Sequence, residues 1–184
     1  MTAYLDHEQK YSTQHKSEHQ LAVEKFHIGM GLTPPAKPIV PPPHQVVARC
    51  KLLLEEVMEF VEAAGVEVRV PNITMGGPHG NAVLKFEDME FTKPGSADLV
   101  GMADGLADTM VICSGGLAIC GIADEPLLRE VDDNNLLKIS TGYFNKETGK
   151  FIKAPNHPKP DIANVLHAQG WESNENVHVP CGSN

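Results

Sequence analysis

The chain has 184 residues, of which 41% are hydrophobic, and a formal net charge of −9. This length favours a single domain over residues 1–184, and the apolar fraction is large enough to build a core. The negative charge argues against nucleic acid as a partner, because its phosphates would be repelled rather than neutralised.

The amino-terminal part of the chain shows no secretory signal, because its first residues are polar and contain no apolar stretch. The cysteines lack CxxC spacing, so we expect a soluble protein with reduced thiols, in the cytoplasm of a cell or an infected host. The pattern then predicts a first helix over about 17–30, ended by glycines and prolines. A proline-rich, extended connector is predicted over 33–43.

Two further helices with a small insert between them are predicted next. The first covers about 44–64, and Gly65 is a plausible C-cap. The turn-rich stretch 66–93 predicts a β-hairpin. The second helix is predicted over 97–121; its apolar part is short for a membrane span and contains Asp108, so we expect no membrane association.

The helix at 97–121 contains glycines and cysteines that suggest close packing against another helix. Gly115 and Gly116 would permit close contact with another helix, while Cys113 and Cys120 are expected in the core. A sequence of Asp, Glu and Pro then predicts a helix start at 124, and that helix is expected to run to about 137.

The carboxyl-terminal part is predicted to be less regular. The segment 141–153 reads as a short two-stranded ribbon, 155–160 as an irregular, proline-rich strap, and 172–184 as a loose tail. With a core over 17–167, the predicted fold is mainly all-α: an antiparallel helical bundle with a β-hairpin insert and an irregular C-terminal strap.

The first acidic cluster is formed by Glu55, Glu56 and Glu59 on the helix at 44–64. On a helical wheel, Glu56 and Glu59 lie opposite the broad apolar side, together with Leu52 and beside Arg49. A fully solvated face would not usually interleave leucine with two glutamates. We therefore expect Glu56 and Glu59 to face a semi-buried pocket, with Glu55 nearer its rim.

The second acidic cluster is formed by Asp104 and Asp108, one turn apart on a strip that also contains Gly101 and Gly115. If the two helices pack antiparallel, the carboxylates converge, and each close pair repels by about 1–4 kcal/mol. Divalent cations with oxygen ligands would remove that cost, and Mg²⁺ would suit a phosphate substrate. The alternative is that Asp104 caps or exposes a helix end while Asp108 pairs with an arginine elsewhere.

A group of polar and basic residues follows the helix at 124–137. Asn135, Lys138, Lys150 and Lys153 would suit a triphosphate near an acidic metal site, although such a group is more often a solvated helix end. No phosphate-binding glycine loop of the GxxxxGK[ST] or GxGxxG type is present.

Several segments resemble the MazG-like, all-α nucleoside triphosphate pyrophosphatase superfamily. They are closest to its phosphoribosyl-ATP-pyrophosphohydrolase-like phage and bacterial members. The matching segments are 23–32, 49–59, 103–122, 130–138 and 149–162. Together they cover most of the chain between 23 and 166, and their order is far more specific than one EExxE motif. The chain departs from the wider family at Gly105, where a glutamate is expected, and Asp104 is the natural substitute.

The resemblance implies hydrolysis between the α and β phosphates of a nucleoside triphosphate. It implies two or more Mg²⁺ or Mn²⁺ ions and a homodimer or homotetramer that completes the bundle. The residues it assigns are catalytic Glu55, Glu56 and Glu59, the metal ligands Glu56, Glu59, Asp104 and Asp108, and the phosphate-binding Asn135, Lys138, Lys150 and Lys153.

The leading hypothesis is therefore a metal-dependent (d)NTP pyrophosphohydrolase that shapes a nucleotide pool, with dGTP as the favoured substrate. Two alternatives stay open. One is a phosphoribosyl-ATP pyrophosphohydrolase, and the other is a non-catalytic, metal-binding helical assembly protein.

Overall fold

The computed structural model describes residues 15–70, 89–93 and 95–172. In these ranges the chain is mainly helical, which confirms the predicted fold class. The tip of the hairpin insert and nearly all of the expected tail lie outside the described residues. The elements are the helices α1 (Glu18–Gly29), α2 (Pro43–Ala63), α3 (Leu99–Cys120), α4 (Asp124–Thr141) and α5 (Ile162–Ala168), and the strands β1 (Glu67–Arg69), β2 (Glu90–Thr92), β3 (Tyr143–Asn145) and β4 (Lys150–Ile152).

The chain divides into two compact units. One unit is residues 42–113, which holds α2, the base of the hairpin and the first part of α3. The other unit holds the chain up to Pro41 and from Ser114 onward. In the first unit, β1 and β2 pair antiparallel with Glu67 opposite Thr92, which confirms the base of the predicted hairpin.

In the 42–113 unit, the chain that returns from the hairpin docks on the carboxyl end of α2. The backbone N–H of Asp98 donates to the Ala63 carbonyl at 2.7 Å, and that of Gly95 donates to the Gly65 carbonyl at 3.2 Å. Gly65 has a φ of 66°, and a Cβ there would lie 2.7 Å from the Ser96 carbonyl oxygen, so only glycine fits. The bond from Asp98 pairs a carbonyl that the end of α2 leaves unsatisfied, and both bonds start α3 beside that end.

From that point α3 runs antiparallel to α2, and the two helices touch at two glycines of α3. A Cβ added to Gly101 would lie 3.0 Å from Ala63 Cβ, and one added to Gly105 would lie 3.0 Å from the Phe60 nitrogen. Of the two glycines predicted to permit close contact, Gly115 is buried, whereas a Cβ on Gly116 would meet nothing within 4 Å among the described residues. The helices approach near the amino end of α3, since the hairpin return ties that end to α2.

The other unit contains a buried polar network that joins α1, α4 and α5. Gln20 is fully buried, and its Oε1 accepts from the Asp124 backbone N–H at 2.8 Å. The backbone N–H and hydroxyl of Ser17, the N-cap of α1, both donate to the Asp124 carboxylate. Gln169, just after α5, pairs through its side-chain amide with both backbone groups of Ala123. Burial of these groups is tolerated because they are hydrogen-bonded.

The end of α4 and the segments after it differ in part from expectation. α4 continues to Thr141, one turn beyond the predicted end. The ribbon is confirmed, since β3 and β4 pair antiparallel. The strap holds neither helix nor strand, and Asn134 Nδ2 on α4 donates to the Pro158 carbonyl at 3.0 Å. The short helix α5 was not predicted; Asp161 caps it by accepting from the Asn164 N–H at 3.1 Å.

The apolar side chains of α3 are more exposed than expected. Leu99 is 78% exposed and Val100 is 80% exposed. The expectation that Cys113 lies in the core is also wrong, because it is exposed. Among the described helices, α3 passes a test of length and composition for a membrane span, a test that core helices of soluble proteins also pass. The buried hydrophobic residues of the described chain are Val23, Ala118, Ala123 and Val165.

Candidate active site

The α2–α3 pair brings the two acidic clusters to one place. Phe60 of α2 and Gly105 of α3 lie in close contact. Glu56 lies about one turn before Phe60, and Asp108 lies about one turn after Gly105. Because the helices run in opposite directions, Glu56 and Asp108 are displaced from the Phe60–Gly105 contact toward the same end of the helix pair. Glu56 and Asp108 therefore lie on neighbouring turns of facing helices, as the antiparallel arrangement requires.

The electrostatics of Glu56 show the same convergence. Desolvation raises the pKa of Glu56 above its ordinary value, and the charges of Glu59, Asp108, Glu55 and Asp104 raise it further, in that order. Each of the other four carboxylates thus acts on this one group, and two of the four belong to the facing helix.

The exposure of these side chains is only partly as expected. Glu56 is half-buried, whereas Glu59 is exposed rather than semi-buried. Three residues at 100° each place Glu59 about 60° around α2 from Glu56, toward the edge of the contact with α3. Glu55, Asp104 and Asp108 are also exposed.

The chemistry of this donor set suits a hard divalent cation such as Mg²⁺ or Mn²⁺, because all five side chains offer carboxylate oxygens. Within the ranges that the structure describes, no group of three His, Cys, Asp or Glu side chains is placed to hold a metal ion. Carboxylates without a counter-charge repel one another, and the raised pKa of Glu56 has that repulsion among its causes. The helices therefore present facing negative charge that a cation would neutralise, without a preassembled set of ligands.

Arg49 is a charged residue to which sequence reasoning gave no role. It lies seven residues, about two helical turns, before Glu56, so both occupy one face of α2. The side chain is half-buried, and burial lowers the pKa of its guanidinium. A guanidinium can bind a carboxylate or a phosphate with two parallel hydrogen bonds. The seven-residue spacing from Glu56 was the signal that could have drawn attention to it.

The predicted phosphate-binding residues belong to the other unit. Asn135 and Lys138 lie on one face of α4, and Lys138 Nζ donates to Asn135 Oδ1. Lys150 begins β4, and Lys153 follows its end. The backbone N–H of Gly142 donates to the Lys138 carbonyl at 2.8 Å, and a Cβ on Gly142 would overlap the backbone of β4. The last turn of α4 and the ribbon are thus held together.

Comparison with known proteins gives one family. Residues 23–135, more than half of the chain, match the family model described as phosphoribosyl-ATP pyrophosphohydrolase. The matched range includes both acidic clusters and Asn135, and it ends before Lys138, Lys150 and Lys153. No curated protein matches the chain.

Proposed function

The chain belongs to the phosphoribosyl-ATP pyrophosphohydrolase family, and from that premise we propose that it is a metal-dependent nucleoside triphosphate pyrophosphohydrolase. The family makes it a pyrophosphohydrolase of the MazG-like superfamily. The reaction proposed is (d)NTP plus water giving (d)NMP and diphosphate. The observation that carries the proposal is the contact of Phe60 with Gly105, which places Glu56 and Asp108 on neighbouring turns of facing helices.

In this proposal the acidic side chains hold the metal and the water. Glu56, Glu59, Asp104 and Asp108 would bind two or more Mg²⁺ or Mn²⁺ ions through carboxylate oxygens. When bound, such ions would supply charge to neutralise the triphosphate and would lower the pKa of a water. Glu55 would orient that water and accept its proton.

Phosphate binding is proposed for a second group of residues, on α4 and the ribbon. Asn135, Lys138, Lys150 and Lys153 bind phosphate oxygens by hydrogen bonds and charge. The hydrogen bond from Lys138 to Asn135 supports this role, because it holds the two side chains together on α4.

The substrate is a nucleoside triphosphate, and we favour a purine such as dGTP, which places the protein in the upkeep of a nucleotide pool. The description of the matching family favours a second candidate, phosphoribosyl-ATP. Both substrates would be cut at the same anhydride bond. A panel that measures diphosphate released from each (d)NTP and from phosphoribosyl-ATP separates the two.

Substitution of single carboxylates tests the proposed site. Glu59→Gln and Asp108→Asn should each reduce diphosphate release to background, because each removes a charge from the metal ligands while keeping the side-chain shape. Glu62→Gln is the matched control, since Glu62 is an exposed glutamate on the same helix and lies outside the acidic clusters. Normal turnover by Asp108→Asn would contradict the proposal. Mn²⁺ binding with no diphosphate formed from any nucleotide would favour the non-catalytic assembly protein.

We also propose a cytoplasmic homodimer or homotetramer. The exposed apolar side chains of α3, such as Val100, support this, because a second copy would bury them.

A further inference from the structure

The strap that follows the ribbon, residues 154–161, is held on α4 by one asparagine. Asn134 Nδ2 donates to the Pro158 carbonyl at 3.0 Å, and Asn134 Oδ1 lies 3.2 Å from His157 Nε2. A carbonyl can only accept a hydrogen bond, so the Asn134 atom that faces Pro158 is the amide nitrogen. Asn134 Oδ1 then accepts from His157, which places a proton on Nε2. Both ends of one side-chain amide are therefore used to bind the strap.

The other ring nitrogen of His157 shows that packing alone does not explain a histidine at this position. His157 Nδ1 is buried and has no hydrogen-bond partner among the described residues. A buried polar atom without a partner lowers stability, so an apolar side chain would pack here at less cost. What the imidazole adds is the hydrogen bond from Nε2 to Asn134. We call Asn134 and His157 the strap clamp.

The strap clamp is the middle one of three contacts between α4 and the chain that follows β3. At the end of α4, Gly142 lies against the Ile152 carbonyl of β4. Asn134 lies about two helical turns before Gly142. About one turn earlier still, Glu130 Oε1 accepts from the Asp161 backbone N–H at 3.0 Å. The chain from β4 to α5 therefore runs back along α4, in the direction opposite to the helix.

Lys153 lies on the short stretch between the contact at the end of α4 and the strap clamp. The turn that follows it is closed, because the His157 backbone N–H donates to the Ala154 carbonyl at 3.0 Å. The backbone at Lys153 is thus tied to α4 on both sides. The part of α4 between these two ties contains Asn135 and Lys138.

We propose that Asn134 and His157 are positioning residues for the phosphates of the substrate. By holding the strap on α4, they keep Lys153 beside the part of the helix that carries Asn135 and Lys138, so that one triphosphate can meet all three. The proposal rests on the phosphate-binding role proposed above. Neither residue of the strap clamp needs to touch the nucleotide, because both act through the position of Lys153. Their loss should therefore weaken substrate binding and leave the chemical step, assigned to the acidic residues, largely unchanged.

The first test is steady-state hydrolysis by the full chain, with Mg²⁺ and the nucleotide that releases most diphosphate in the panel above, which we expect to be dGTP. Asn134→Ala should raise KM by about fivefold, the scale of one or two hydrogen bonds, and change kcat less. Hydrogen exchange at the His157 amide should become faster, because the strap is no longer held. Asn164→Ala is the matched control, since Asn164 is an exposed asparagine on α5, and it should keep the wild-type KM. A wild-type KM in Asn134→Ala would overturn the proposal.

Substitutions of His157 keep the proposal testable even if Asn134→Ala fails to fold. A glutamine can place an amide N–H where His157 Nε2 lies, whereas the shorter asparagine places its own near Nδ1. His157→Asn should therefore raise KM by about fivefold, and His157→Gln should recover most of that loss. Equal KM values for these two variants would overturn the proposal. A wild type that releases no diphosphate from any nucleotide would instead overturn the proposed function, which distinguishes the two failures.

Discussion

Glu56 is the residue on which the charges of both helices act. Its pKa is raised by desolvation first and then by Glu59, Asp108, Glu55 and Asp104. A raised pKa means that the folded protein holds this proton more tightly than the unfolded chain does. In metal-free protein, the stability that Glu56 contributes is therefore fully present below its unfolded pKa and is lost as pH rises through the folded value.

This predicts a pH-dependent effect of Glu56→Gln on stability. In EDTA, the variant should be more stable than the wild type at neutral pH, because it removes a charge that the other carboxylates repel. The advantage should shrink as pH falls toward the ordinary value of 4.5, where Glu56 is protonated. Urea unfolding at a series of pH values measures it, with Glu62→Gln as the control for an exposed glutamate of α2. A wild type that is more stable than Glu56→Gln at neutral pH without metal would contradict this prediction.

For single residues, the sequence predicts which carboxylates belong to the site better than it predicts how exposed each one is. The spacing of the acidic residues, together with the apolar and small residues around them, selected groups that lie on facing helices. The exposure of Glu59 was predicted wrongly. A helical wheel gives the direction of a side chain, but it does not give how much of that face the neighbouring helix covers.

Among the elements, the junction of α4 with the ribbon connects three of the predicted phosphate-binding lysines. Gly142 follows the last residue of α4, and a Cβ there would overlap the Ile152 carbonyl oxygen and the Phe151 ring. An alanine at 142 would push the ribbon away from the helix end. Overpacking of this kind typically costs about 1–3 kcal/mol.

We expect Gly142→Ala to raise the KM for the nucleotide more than it lowers kcat, since Lys138 and Lys150 would no longer bind one substrate together. Gly149→Ala is the matched control in the same ribbon. Its φ of 65° makes alanine strained there, but a Cβ would meet nothing within 4 Å, so the ribbon keeps its place on α4. Steady-state kinetics on both variants makes the comparison. Equal KM values would show that the junction does not position the lysines.

The elements themselves were largely predictable, because glycines and prolines mark their ends. α2 and α3 begin and end within about two residues of their predicted bounds. The missed helix α5 has seven residues, too few for a clear apolar period, although its Asp161 cap was visible in the sequence. The residues at which α2 and α3 touch were not predictable, because periodicity gives the face of a helix and not its contact residues. These contacts follow from the bonds of Asp98 and Gly95 to the end of α2.

At the scale of the whole molecule, exposed apolar surface on α2 and α3 is the feature that packing among the described residues leaves unexplained. α2 contains no buried residue, and the amino end of α3 exposes Leu99 and Val100 almost completely. Large exposed apolar patches mark sites of association, whereas single exposed side chains do not. Exposed apolar residues lie on both α2 and α3, and they favour burial by a second copy.

If copies of the chain associate through α3, a charge introduced on that helix should lower the native mass. The wild type should have a native mass that is a multiple of 20.0 kDa by light scattering. Val100→Glu should lower that mass toward 20.0 kDa, because burying an unpaired carboxylate in an apolar interface is unfavourable. Ala163→Glu adds the same charge to an exposed position on α5 and should leave the native mass unchanged. A wild type of 20.0 kDa would contradict the oligomer, and a shift by both variants alike would show an effect of net charge rather than of this surface.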